Sequence, residues 1–190
     1  MSTALLKWVA GAALACVVGS GAAWAEWTPE ADTCARHPDP NIVIEACTVA
    51  LDSGKLTTEE SARTLANRAW GKGQVGDNHG ARSDVKEAIR VHERGGRASA
   101  WNTLGTIEEA LGDQRAAEDA YLKALAQLSA QGGESISAGD ATGRAARGNL
   151  AWLYDGQGRR AEAERYVREL YAIAPDYEYV ADLYRKYGLK

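Results

Sequence analysis

Apolar residues recur at helical spacing through most of the chain, and polar residues fill the positions between them. No segment alternates apolar and polar residues over the length of a strand, so the pattern predicts an all-α protein. The prolines stand at positions 29, 38, 40 and 175, where each suits a helix boundary. Thr57, followed three residues later by Glu60, predicts a capping box at a helix start.

The predicted helices come in pairs of one design. After Gly105, a turn glycine, Gly112, follows at seven residues, Ala117 at twelve and Tyr121 at sixteen. Two further units share this spacing, namely Ala69, Gly76, Ala81 and Val85, and Ala151, Gly158, Ala163 and Val167. Three units in one register predict stacked helical hairpins, because a single hairpin cannot bury its apolar face alone.

These units resemble the tetratricopeptide repeat, whose pattern is W-x2-L-G-x2-Y, then A-x3-F, then a proline. The matching residues are Trp101, Leu104, Gly105, Ala117 and Tyr121 in one unit, and Leu150, Ala151, Tyr154, Ala163 and Pro175 in the next. Glu108 and Lys72 replace the first-helix tyrosine in two units. The resemblance implies a short α-α solenoid of about three helical hairpins with a C-terminal capping helix.

This architecture divides the chain into segments. An N-terminal hairpin is expected at 26–56 and a capping helix at 176–190. The expected repeats are 57–96, 97–138 and 139–175.

Residues 1–25 have the layout of a secretory signal peptide. Lys7 is their only charged side chain, an apolar run follows it, and Ala23-Trp24-Ala25 forms an A-x-A cleavage site. A membrane anchor is an alternative, but a spanning helix needs roughly 20 apolar residues. Lipid attachment at Cys16 is another. We therefore expect a periplasmic or secreted protein, cleaved after Ala25.

The two cysteines beyond this segment, Cys34 and Cys47, are expected to form a disulfide, because exported proteins meet an oxidising environment. Two buried thiols are the alternative. The family resemblance supports the bond. It implies that Cys34 takes the place of the first-helix tyrosine and Cys47 that of the second-helix phenylalanine, and these positions face each other across a hairpin.

Composition and motifs give no support for catalysis. The formal net charge is −4 without a long basic run, which argues against a nucleic-acid partner. The chain has no H-E-x-x-H, C-x-x-C or G-x-S-x-G motif, so we predict no catalytic, cofactor or metal site and no enzyme. The acidic pairs Glu59-Glu60 and Glu108-Glu109 are expected to be ordinary solvated charge.

One motif, Gly71-Lys72-Gly73-Gln74-Val75-Gly76, matches the dinucleotide-binding pattern G-x-G-x-x-G. That function needs a strand before the glycines, whereas here a helical run precedes them. We expect Gly76 to be a turn glycine. Gly71 and Gly73 are expected to be incidental helix glycines that leave space beside Trp70 and soften this hairpin.

The resemblance also implies a concave surface, lined by the first helix of each unit, that binds proteins or peptides. The implied groove residues are Trp70, Asn102, Thr106, Glu109, Trp152 and Asp155. Two indoles and two carboxylates favour a ligand with apolar anchors and a basic group. Packing of both indoles on neighbouring helices is the alternative. The expected function is an adaptor or assembly factor of the cell envelope, either soluble or lipid-anchored. An enzyme on a helical scaffold is the less favoured alternative.

Overall fold

A computed structural model describes residues 29–92, 97–130, 141–176 and 178–189. Within these ranges the chain forms nine α-helices and no strand, which confirms the all-α prediction. The helices are α1 (Pro29–Arg36), α2 (Pro40–Asp52), α3 (Thr58–Gln74), α4 (Asn78–Val91), α5 (Ala98–Ala110), α6 (Gln114–Ala130), α7 (Ala141–Gly156), α8 (Arg160–Ile173) and α9 (Glu178–Lys186). The predicted signal peptide at 1–25 lies outside the described residues.

The three predicted turn glycines adopt one backbone conformation. Gly76, Gly112 and Gly158 have φ angles of 84°, 82° and 72°, which side chains with a Cβ atom rarely adopt. In each turn the next residue donates its N–H to a carbonyl five residues earlier, closing a Schellman motif. These bonds join Asp77 to Lys72 at 2.9 Å, Asp113 to Glu108 at 2.8 Å and Arg159 to Tyr154 at 2.8 Å. The repeated glycine therefore sets the same tight hairpin turn three times.

Side-chain caps begin several helices, and the predicted capping box is one of them. Thr57 and Glu60 form the capping box of α3, in which the Glu60 carboxylate accepts the Thr57 N–H at 2.8 Å. Asp39 accepts the N–H of Asn41 before α2. Asp77 likewise accepts the N–H of Gly80 at 2.9 Å before α4. These bonds satisfy backbone donors that would otherwise lack partners at the helix ends.

The helices stack in two layers. Each helix packs against its neighbours in the chain, and α1, α3, α5 and α7 also contact one another in succession. Across the described ranges, the backbones of α2, α4, α6 and α8 do not approach one another in this way. The array therefore curves with α1, α3, α5 and α7 on its inner side. We call the solvent-facing side of α3, α5 and α7 the concave surface.

The N-terminal hairpin contains the predicted disulfide. Cys34 on α1 and Cys47 on α2 are bonded, with their Cα atoms 4.8 Å apart, and both are buried. They form a small apolar cluster with Val43 and Ala46, whereas larger clusters occupy the rest of the array. The covalent bond thus reinforces a hairpin that has few apolar contacts of its own.

The expectation that Gly71 is incidental is wrong. A Cβ atom at this position would lie 3.0 Å from both the Pro40 carbonyl oxygen and the Ile44 Cγ1 atom. Gly71 therefore lets the start of α2 pack closely on the end of α3. At Gly73, by contrast, a Cβ atom would have no neighbour within 4 Å, so this glycine does leave open space.

Candidate functional site: the concave surface

Three residues at equivalent positions of α3, α5 and α7 project from the concave surface. Each directly follows the small residue that packs inside its hairpin, namely Ala69, Gly105 or Ala151. Trp70 is 43% exposed, Thr106 is exposed and Trp152 is 47% exposed. The repeat register therefore places two large indole faces on one side of the array, with a short polar side chain at the same position between them.

The N-terminal part of the concave surface has a pocket one turn from Trp70. Ala66 contributes to this pocket of about 240 Å³, whose other walls include small side chains of α1, α3, α4 and α5. Arg63 and Arg97 line it as well, and Arg97 pairs with Glu59. Alanines make up half of the lining and polar or basic side chains the other half, so the pocket offers space for a side chain with an apolar part beside an exposed indole.

The central part is polar, and its side chains have partners within the chain. Asn149 on α7 donates its side-chain N–H to the side-chain oxygen of Asn102 on α5, at 3.2 Å. Glu109 accepts a hydrogen bond from the hydroxyl of Tyr121, whose ring is fully buried. Burial, followed by this bond to Glu109, raises the pKa of Tyr121 well above its usual range. The Glu109 carboxylate is therefore part of the hairpin's own packing.

The C-terminal part is closed on one side by α9. The Lys186 ammonium lies 4.8 Å from the centroid of the Trp152 ring and 2.9 Å from an Asp155 carboxylate oxygen. Hydrogen bonds from Lys186 and then Tyr187 lower the pKa of Asp155. Sequence reasoning placed Trp152 and Asp155 on this surface but did not foresee Lys186. As a result, one of the two predicted groove carboxylates is already paired with a cation of the same chain.

The expectation that Glu108 is ordinary solvated charge is wrong. Its side chain is 3% exposed, and it pairs with Lys86 at 3.0 Å and with Arg82 at 3.5 Å. Both cations lie on α4, in the preceding hairpin. Glu108 occupies the position of the first-helix tyrosine, so an inter-repeat ion pair replaces an aromatic contact there. These ion pairs offset the free energy cost of burying the Glu108 carboxylate.

Lys72, at the same position in the preceding unit, is also paired inside the array. Its ammonium lies 2.8 Å from the carboxylate of Asp84, which Arg68 also contacts at 2.8 Å. Lys72 is thus the structural counterpart of a tyrosine rather than a phosphate ligand. The helical G-x-G-x-x-G segment therefore serves packing and turn formation.

The described residues contain no group of three or more His, Cys, Asp or Glu side chains placed to hold a metal ion. Among the helices of the described ranges, none has both the length and the apolar character that crossing a membrane requires.

Comparison with known families identifies the repeats. Residues 98–126 and 144–174 each match a tetratricopeptide-repeat model. The chain therefore contains tetratricopeptide repeats. Its matched segments fall in the second and third predicted repeats and together span about a third of the sequence. Repeats of this family support a role as a protein–protein interaction module.

Solved structures agree on the fold. A crystal structure of MamA matches with a TM-score of 0.58 and 19% identity, covering 80% of this chain and 80% of that one. A crystal structure of MamA protein matches with a TM-score of 0.53 and 21% identity, covering 80% and 69% of the two chains. At these identities the likeness shows a shared helical-repeat fold. A search of curated protein sequences returns no significant match.

Proposed function

We propose that this protein is an envelope adaptor or assembly factor that binds a peptide or helix of a protein partner on its concave surface. The observation that carries the proposal is the pair of exposed indoles, Trp70 and Trp152, at equivalent positions of α3 and α7. Large aromatic side chains dominate many binding surfaces because they bury much area at little entropic cost.

The chemistry of the surface favours apolar anchors in the partner. The pocket beside Ala66, half of whose lining residues are alanines, and the open space at Gly73 both lie close to Trp70 on α3. Asp155 and Glu109 are engaged by Lys186 and Tyr121, so we assign affinity mainly to the indoles. A basic group of the partner would have to compete with Lys186 for Asp155.

A capture experiment with matched variants tests this function. The protein is isolated from its native cell envelope after mild cross-linking, and its partners are identified by mass spectrometry. Trp70→Ala and Trp152→Ala should each lose the same partner polypeptide. Leu122→Ala is the control, because Leu122 is 39% exposed on α6, in the other layer. Equal recovery of every partner with all three variants would rule out binding by the concave surface.

Export and anchoring need a separate measurement. Mass spectrometry of the protein from the envelope fraction should find an N-terminus at Glu26, as cleavage after Ala25 requires. A lipid on Cys16 would replace the soluble form by a membrane-anchored one. An uncleaved chain found in the cytoplasm would contradict both forms.

A further inference from the structure

The N-terminal end of the array has an exposed apolar strip on α2. Ile42 is 39% exposed, Val49 is 50% exposed, and Ala46 lies between them on the same helix face. The strip borders a groove of about 250 Å³ between α1 and α2, which Pro29 and Thr33 also line. This groove lies outside the concave surface. We call this groove between α1 and α2 the terminal groove. It is a candidate binding surface separate from the concave surface.

Comparison with the other hairpins shows that the strip is unusual. In the repeat register, Val49 corresponds to Glu87, Lys123 and Glu169 of the later hairpins. The Ile42 position is likewise taken by Gly80, Ala116 and Glu162. Terminal hairpins of a solenoid usually carry a polar outer face, because no further repeat covers them. Here the terminal hairpin carries larger apolar side chains at these positions than the internal ones.

The charges around the terminal groove indicate what can cover it. Glu30 and Glu45 line the groove and are both exposed, and no basic side chain of the described residues lines it. Neither carboxylate forms an ion pair with another described residue. Most carboxylates elsewhere in the described chain are paired, including the buried Asp84 and Glu108. The groove therefore combines an apolar floor with two carboxylates that pair with no cation of the described residues.

From these contacts we infer that the terminal groove binds a basic amphipathic helix of a protein partner. Such a helix places aliphatic side chains along the strip of Ile42, Ala46 and Val49 and lysine or arginine side chains beside Glu30 and Glu45. A second copy of this chain would bring the same carboxylates together, and nucleic acid or anionic lipid would be repelled. Charge complementarity therefore selects the cationic helix among these occupants.

A labelled synthetic peptide tests this inference. The probe is a helical peptide with leucines at i, i+4 and i+7 flanked by arginines, titrated with the purified full-length protein by fluorescence anisotropy. A matched peptide with glutamates in place of the arginines is the control. We expect the basic peptide to bind at least about tenfold more tightly, a difference of about 1.4 kcal/mol. Val49→Asp should weaken its binding by a similar factor, and Leu122→Asp should leave it unchanged.

A charge reversal makes the test independent of folding and of the concave surface. In the double variant Glu30→Lys and Glu45→Lys, preference should switch to the glutamate peptide. Trp70→Ala should leave binding of either peptide unchanged, so failure here and failure of the concave surface are distinguishable. Equal affinity for both peptides, or insensitivity to Val49→Asp, would overturn the inference. Peptide binding seen only after deletion of residues 26–28 would also overturn it, because the natural occupant would then be this chain's own N-terminal segment. Self-association that Val49→Asp abolishes, without any peptide binding, would overturn it in favour of a second copy of the chain.

Discussion

Replacement of Gly105 by alanine should destabilise the protein, although alanine is the better helix former. A Cβ atom on Gly105 would lie 2.3 Å from Cε1 and 2.5 Å from Cδ1 of Tyr121. The Tyr121 ring cannot swing away easily, because it is fully buried and its hydroxyl is bonded to Glu109. Overpacking of this kind costs about 1–3 kcal/mol. The better helix propensity of alanine returns about 1 kcal/mol at most.

Gly148→Ala is the matched control for this substitution. Gly148 lies inside α7, and apart from the adjacent residues and the backbone of its own helix no described atom comes within 4 Å of a Cβ position there. This variant should gain about 0.5–1 kcal/mol from helix propensity alone. Midpoints of urea unfolding, followed by circular dichroism, should therefore move in opposite directions for the two variants.

The same substitution in a second protein background shows whether the Tyr121 ring causes the loss of stability. In a Tyr121→Leu protein, the penalty of Gly105→Ala should shrink, because the smaller side chain leaves room for the added methyl group. If Gly105→Ala proves as stable as the parent, or loses the same amount in both backgrounds, close packing of Tyr121 on Gly105 is refuted as the reason for the glycine.

Three further outcomes are expected. Replacing Cys34 and Cys47 by serine should cost about 3 kcal/mol, and reductant should abolish the difference from the parent in thermal unfolding. Lys86→Met should destabilise by about 1–3 kcal/mol in urea, more than Glu108→Gln, because it leaves a buried carboxylate without its nearer partner. Burial, followed by a bond to Asp155, raises the pKa of Tyr187 from 10.0 to about 12. The protonated Tyr187 hydroxyl therefore contributes to folding stability below pH 10, and this contribution should be lost as the pH rises through about 12. Alkaline unfolding curves of the wild type and of Tyr187→Phe measure the difference.

Features set within one hairpin could be predicted from the sequence. The spacing of seven and twelve residues located the turn glycines, and Gly76, Gly112 and Gly158 all adopt positive φ angles. The positions of Cys34 and Cys47 in the same template gave the disulfide. The capping box at Thr57 gave the start of α3. Each depends on contacts between residues close in the chain, where pattern and geometry are directly linked.

Features that depend on contacts between hairpins could not be predicted in this way. Gly71 is required by the approach of α2, and Glu108 is buried because Lys86 of the preceding hairpin neutralises it. Lys186 reaches Trp152 and Asp155 from the terminal helix. The template describes a single repeat, so it carries no information about which charges face each other across a repeat boundary.

The terminal groove had a detectable signal in the sequence. Val49 stands where the later hairpins carry Glu87, Lys123 and Glu169, and an alignment of the four hairpins reveals this difference. That Val49 is exposed, and that no basic side chain of the described residues lines the groove, could be seen only in the packed structure.

Site-specific photo-cross-linking at Thr106 tests the central claim most directly. Thr106 is exposed on α5, at the position that Trp70 and Trp152 occupy on the flanking first helices. A photoreactive amino acid placed there should, in living cells, form an adduct with one partner polypeptide. Substitution of Trp70 by alanine should diminish that adduct, and the same probe at Leu122 should not form it. An adduct at Leu122 with none at Thr106 would contradict binding on the concave surface.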